Sequence, residues 1–405
     1  MSARVGILVL ALSIGRIACA QDPVVQSVLD AMRIDSMIHY VQELAGEVPT
    51  MISGTEQTIA SRHKSNAGNA LAQTYIEQKL TQFGYAPVIQ SFSTTGKNII
   101  ATKIGTLHPD EVVVLCAHYD AMPGGILDAP AADDDGSGTC ALLEAARILH
   151  DVQFEYTIVF GFWDEEEQGL VGSGFYSGAM AANDELIRGV INMDAIAYDG
   201  NGDTKARVHV RPIANSVEIG DSVFSVLDTY GIDIDLLLTN PGATYSDHAS
   251  FWNEGYGAVL IIEEFTADGN PHYHTPTDLV QYFDVPYYEK LAKLSIATLA
   301  TIAIPVNEAQ AVGHMPVQRT PAIYAYPNPS SGDAGLWIET TAAQRYRVVV
   351  LDALGKEVSL LHEGMLTVGK HAFQVPLSGL PAGGYVVLAV SENKAPLTVR
   401  LVRTP

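Results

Sequence analysis

Residues 112–120 read Val-Val-Val-Leu-Cys-Ala-His-Tyr-Asp. An apolar run without alternation suits a strand buried on both faces, as in a parallel sheet covered by helices on either side. The run ends abruptly in polar residues, which marks where the strand leaves the sheet. Working outward, Pro87 to Phe92, Asn98 to Gly105 and Tyr156 to Trp163 also read as strands, and Ser137 to Leu149 reads as a helix. Strands alternating with helices predict an α/β fold, a three-layer α/β/α arrangement with a mostly parallel central sheet. Ligands in such folds collect outside the carboxyl ends of the strands, so polar residues that follow strands are the candidates for chemistry.

Helical spacing of apolar residues recurs over Pro23 to Leu44 and Ala70 to Phe83, with Gly84 as a stop. After a helix over Val285 to Ile302 the pattern changes. Residues 305–325 read as a linker, and 326–405 carry short alternating segments separated by Gly, Pro and Asn, the spacing of a small all-β sandwich. At the other end, residues 1–20 have the layout of a signal peptide: Arg4, the apolar run Val5 to Ile14, and Ala18-Cys19-Ala20 before the cut. Cys19 invites a lipoprotein reading, but Arg16 stands where a lipobox wants an aliphatic residue. The expected domain division is therefore 1–20 signal, 21–304 α/β domain, 305–325 linker and 326–405 sandwich.

The chain has a formal charge of −23, and loss of Arg4 and Arg16 with the signal takes it to −25. Such a polyanion has no electrostatic attraction for nucleic acid, and the acidity reads as solubility. No segment after the signal is long and apolar enough to span a bilayer. Cys116 and Cys140, which remain after cleavage, read as two buried thiols, although export permits a disulfide.

Five clusters follow strands or sit in loops: His118-Tyr119-Asp120, Asp133-Asp134-Asp135, Glu166-Glu167, Asp194, and His272-Tyr273-His274. Each alone has a plain structural reading, as a helix cap, a solvated turn or a packed histidine. Gathered at one sheet edge they require something more, because desolvated carboxylates repel unless cations balance them. A His, Asp and Glu set without thiolates suits catalytic zinc, and two ions sharing a carboxylate would polarise both a water and a substrate carbonyl.

In order along the chain, His-Tyr-Asp (118–120), Ala-Asp-Asp-Asp-Gly-Ser-Gly (132–138), Glu-Glu-Gln-Gly-Leu-Val-Gly-Ser (166–173), Asn-Met-Asp (192–194) and Tyr-His-Thr (273–275) resemble the co-catalytic zinc aminopeptidases related to bacterial leucyl aminopeptidase and aminopeptidase Y. The resemblance implies a zinc exopeptidase fold and two Zn2+ per chain. Asp134 then bridges the ions, with His118 and Asp194 on one and Glu167 and His274 on the other. Glu166, left over, becomes the general base that takes a proton from the metal-bridging water, and Asp120 orients the far nitrogen of His118. His272 competes with His274, and the Tyr-His-Thr context favours the latter. Asp133 and Asp135 read as turn or cap residues, and Glu165 as a solvated neighbour. Tyr245, Asp247 and His248 form a candidate substrate wall, with Tyr245 standing in for a tyrosine that relatives carry slightly earlier.

At the C-terminus, Tyr-Pro-Asn-Pro (326–329), Asp-Ala-Leu-Gly-Lys-Glu-Val (352–358) and Leu-Pro-Ala-Gly-Gly-Tyr (380–385) resemble the type IX secretion sorting domain of Bacteroidetes-type bacteria. The expected protein is thus secreted or held at the cell surface after export through the periplasm, with the secretion machinery and peptide or protein N-termini as partners. Glutaminyl cyclisation, carboxypeptidase action and a non-catalytic binding module remain as alternatives on the same scaffold.

Overall fold

The computed structural model describes residues 21–122, 127–306, 322–326, 328–340, 343–367, 369–391 and 396–404; the signal-peptide reading lies outside them. Two helices, α1 (Pro23–Asp30) and α2 (Ile34–Leu44), precede a hairpin, β1 (Thr50–Ile52) and β2 (Thr55–Gln57), and the helix α3 (Ala67–Gln82). Then come β3 (Val88–Ser91), β4 (Lys97–Lys103), β5 (His108–His118), α4 (Gly136–Leu149), β6 (Tyr156–Trp163), α5 (Val171–Ala181), β7 (Leu186–Met193) and β8 (Lys205–His209). The domain closes with α6 (Ser216–Tyr230), β9 (Asp235–Thr239), α7 (His248–Asn253), β10 (Ala258–Glu263) and α8 (Val285–Ala303).

Strands β3 to β10 form one sheet in the order β3-β4-β6-β5-β7-β10-β8-β9. Its centre, β6-β5-β7-β10, is parallel. The flanks reverse: β4 runs antiparallel to β6, and β8 antiparallel to β10. The sheet is therefore mixed, with the expected parallel part at its middle.

The unbroken apolar run of β5 is explained by what lies on each side. Val113, Leu115 and Ala117 point into a core shared with α1, α2, α3, α4, α6 and α8. Their neighbours Val112, Val114 and Cys116 point the other way, into a core built with Tyr176 and Met180 of α5 and Phe251 and Trp252 of α7. The strand β6 divides in the same manner, Phe160 to the first core and Trp163 to the second. Cys116 and Cys140 are free and buried, as read from the sequence.

The C-terminal part is an antiparallel sandwich. One sheet is β11 (Ala322–Tyr326), β12 (Ala334–Thr340) and β15 (Gly369–Val375); the other is β13 (Gln344–Leu351), β14 (Glu357–Leu366), β16 (Gly383–Ser391) and β17 (Leu397–Arg403). Leu336, Ile338, Val348, Val350 and Val387 fill the space between them. Residues 322–325 belong to a paired strand, where the sequence reading extended the linker to 325. The alternating pattern there is too short to stand out before its partner β12 is known.

The sandwich rests on the α/β domain. The Tyr326 hydroxyl meets that of Tyr176 and donates to Met180 Sδ at 3.3 Å, and Trp337 packs beside it. Ser331 Oγ donates to the Ser91 carbonyl of edge strand β3.

Leu115 is fully buried at the centre of the sheet. Truncating Leu115→Ala is expected to destabilise the α/β domain by about 2–5 kcal/mol, seen as a lower denaturation midpoint.

Candidate metal centre and active site

All four parallel strands end at one place. His118 is the last residue of β5; the acidic turn 164–167 follows β6; Asp194 follows β7; and the loop carrying His274 follows β10. Asp134 arrives from the loop that enters α4. The N-cap of that helix is Asp135, whose Oδ1 accepts from the Gly138 amide at 2.9 Å. A Cβ on Gly138 would stand 2.4 Å from that oxygen, which is why the motif requires glycine there.

The two oxygens of Asp134 face two different histidines. Its Oδ1 lies 3.2 Å from His118 Nε2, and its Oδ2 lies 3.0 Å from His274 Nε2. Around them, Asp194 Oδ1 is 3.7 Å from His118 Nε2, and Glu167 Oε2 is 3.1 Å from His274 Nε2. Asp134 Oδ2 and His274 Nε2 sit in contact yet satisfy no hydrogen-bond geometry, as side chains aimed at a common point would. Ligand-bearing atoms of Asp134, Glu167 and His274 fall within 4.8 Å of one another, as do those of His118, Asp135 and Asp194. Asp135 is the weaker candidate in the second group, because its carboxylate already accepts from the amides of His118, Gly138 and Ala195. The donor set, imidazole and carboxylate without thiolate, fits zinc.

Supporting residues explain how acids are held so close together. Asp120 accepts from the Glu166 and Glu167 amides at 3.0 and 3.3 Å, and its Oδ1 lies 3.4 Å from His118 Nδ1. Asp278 accepts from the Asp133 and Asp134 amides, and Asp133 in turn accepts from the Ala197 amide and from Asn270 Nδ2. The Met122 amide donates to Glu167 Oε1 at 2.9 Å. Five residues of these loops, Ala131, Glu165, Leu170, Ala195 and His274, hold positive φ without being glycine, the strained backbone that accumulates at working sites.

Electrostatics matches the crowding. Burial pushes Glu166 well above the usual carboxyl range; Asp247, Asp194 and Glu167 add to this and His118 opposes it. Burial and the charge of Asp134 raise Glu167 to about 7, against the His274 ring beside it. Burial alone would lower His274, but the close carboxylates of Asp134 and Glu167 outweigh it and hold the ring at about 10.

Three sequence readings need correction. Glu165 is not solvated: it is buried, with Lys64 Nζ, Ser93 Oγ and Thr95 Oγ1 donating to it. Asp247 and His248 are fully buried behind the wall rather than part of it. His248 opens α7, packs edge-on against Trp252 with its Nε2 against the Ala243 carbonyl, and is kept neutral by burial, which lowers it to about 3. Tyr245 does line the cavity, with His209 edge-on behind it. His272 turns away, stacked on Tyr282 and paired with Thr277. The cavity above the cluster, about 690 Å3, has Met122, Leu170, Ile262, Phe265 and Tyr273 on its apolar side and Glu166, Glu167 and Asp194 on the other.

Sequence reading missed Arg62, Asn69, Asp164 and Asp278. Arg62 and Asp278 stand alone in loops, Asn69 sits in the first turn of α3 and Asp164 opens an acidic run; none carries a motif signal, and only the fold shows that these four brace the site.

A sheet with acids and imidazoles gathered at the carboxyl ends of its parallel strands defines a metal-dependent peptidase scaffold. Residues 98–299, just under half of the chain, match the peptidase family M28 domain. Residues 324–403 match a secretion system C-terminal sorting domain, which marks the chain for export. Curated relatives of the first segment are named as leucine aminopeptidases and zinc metalloproteases. Leucine aminopeptidase 1 of Penicillium rubens is 33% identical over 201 residues, covering 46% of this chain and 52% of the relative, so the match spans about half of that protein. Among solved structures, the LapA aminopeptidase of Legionella pneumophila is similar at TM-score 0.60 and 20% identity, covering 72% of this chain and 78% of the other. The glutaminyl cyclase of Porphyromonas gingivalis is similar at TM-score 0.56 and 20% identity, covering 67% and 99%. At these identities the two structures establish the fold.

Because His274 holds a proton up to about pH 10 when only Asp134 and Glu167 face it, a cation must displace that proton. Zinc affinity of the chelator-treated protein is therefore expected to rise steadily from pH 6 to 9, with proton release on binding, measured by calorimetry in buffers of different ionisation heat.

Proposed function

We propose that this chain is a secreted di-zinc exopeptidase, an aminopeptidase that hydrolyses the N-terminal peptide bond of peptides. The observation that carries the reading is the division of Asp134 between two histidines, each with a further carboxylate beside it. One ion would be held by His118, Asp134 and Asp194, the other by Asp134, Glu167 and His274. Bound there, the zincs supply Lewis acidity toward a water and the scissile carbonyl.

The chain's own residues do the rest. Glu166 lines the cavity and is the carboxyl group beside the cluster that neither half requires. With its pKa raised, it accepts a proton from the attacking water and returns it to the departing amine. Asp120 braces Glu166 and Glu167 through their amides and faces His118 Nδ1. Tyr245, which lines the cavity, would steady the developing oxyanion through its hydroxyl. Apolar cavity residues fit an aliphatic or aromatic N-terminal side chain.

The sorting domain supports passage through the periplasm and delivery by type IX secretion machinery to the cell surface or medium. Cyclisation on this scaffold would need only one ion, so the filled His118 and Asp194 side favours the peptidase. Carboxypeptidase action is separated from it by substrate alone.

Glu166→Gln is expected to keep two zincs by metal analysis and to lose about 10²- to 10⁴-fold in kcat on leucine anilides. Full activity in that variant removes Glu166 from its role. Equal cleavage of N-blocked dipeptides overturns the aminopeptidase assignment, and full activity with one tightly bound ion overturns the two-metal form.

A further inference from the structure

We infer that Arg62, which touches no candidate ligand, is the positioning residue that sets the spacing of the metal-binding loops. The inference rests on the metal-centre reading above.

Arg62 is fully buried, and among the described residues it forms no ion pair. Its guanidinium bonds instead to four backbone carbonyls. Nε donates to Tyr119 at 2.7 Å, Nη1 to Leu44 and Pro130, and Nη2 to Ala131 at 2.8 Å. Tyr119 lies between His118 and Asp120. Pro130 and Ala131 lead into Asp134, and Leu44 ends α2. One planar fork thus ties the two ends of the loop between β5 and α4 to each other and to the end of α2, with donor directions that a guanidinium fixes and a flexible ammonium does not.

The same residue reaches a second loop, the turn after β6, through its backbone. Asn69 Nδ2 donates to the Arg62 carbonyl at 3.0 Å and to Asp164 Oδ1 at 2.9 Å. Asp164 Oδ1 also accepts from the Glu165 amide, at the start of the turn bearing Glu166 and Glu167. The preceding segment is pinned as well, since the Ala129 amide donates to the Ala60 carbonyl. Arg62 also feels the charge of Asp278, Asp135 and Asp120, so it offsets part of the negative field beneath the cavity.

A residue that served only the core would change stability without changing the metals. The test uses the full chain and zinc itself as probe. Arg62→Lys keeps the charge and loses the fork; Arg62→Met loses both. Leu29→Ala, a core truncation in α1, serves as the control for lost stability. The expected result is zinc affinity about tenfold weaker or more in Arg62→Lys by chelator competition, and weaker again in Arg62→Met. In Arg62→Lys kcat falls by a similar factor with little change in KM, while Leu29→Ala keeps both zinc affinity and kcat at a lower Tm. Arg62→Lys with wild-type zinc affinity and kcat overturns the inference. So does an Arg62→Lys chain that fails to fold, since that places the residue in folding alone. A wild-type chain that binds no zinc removes the metal-centre reading itself.

Discussion

Charge repulsion among buried carboxylates is the constraint on which this molecule turns. Asp120, Asp134, Asp135, Glu166, Glu167 and Asp194 meet below the surface. Among the described residues, the imidazoles in direct contact with them are those of His118 and His274. A folded chain tolerates such a group when each acid is given amide donors and when cations complete the balance. The amide donors are visible throughout: to Asp120, Asp135 and Asp278 from the loops they support. These three acids share a task. They spend their lone pairs on backbone, which leaves Asp134, Glu167 and Asp194 free to face the cavity.

Much of this was legible in the sequence because it is local. A run such as Val112 to Ala117, opening on three β-branched residues and closed by polar ones, reads as a strand covered on both faces, and the polar residues closing it fall where the fold puts its ligands. Asp135 as helix cap followed from the glycine-rich start of α4. Harder to read were the reversed flank strands β8 and β9, whose direction depends on how the chain crosses the sheet rather than on any periodicity. Glu165 looked solvated because its neighbours in sequence are acids, whereas its partners Lys64, Ser93 and Thr95 come from roughly seventy to a hundred positions earlier. Asp247 and His248 looked like wall because Ser-Asp-His followed by Phe251 resembles the family's substrate wall; the turn into α7 carries them inside.

Division of labour between the two halves of the chain is equally physical. The α/β domain uses the carboxyl edge of its sheet for chemistry, and the sandwich takes hold elsewhere, on α5 and on edge strand β3. Covering β3 with Ser331 and its neighbours also shields an edge that would otherwise offer unpaired backbone to other chains.

Tyr326 gives that attachment a consequence for processing. Its ring is nine-tenths enclosed in the second core, beside Tyr176, Met180 and Trp337. A cut upstream of residue 322 that released the sandwich would strip an aromatic plug from the catalytic half and leave a greasy socket facing water. The shorter product would then be stickier and less robust than its parent, so the tail acts as a fitted lid on the scaffold as well as an address label.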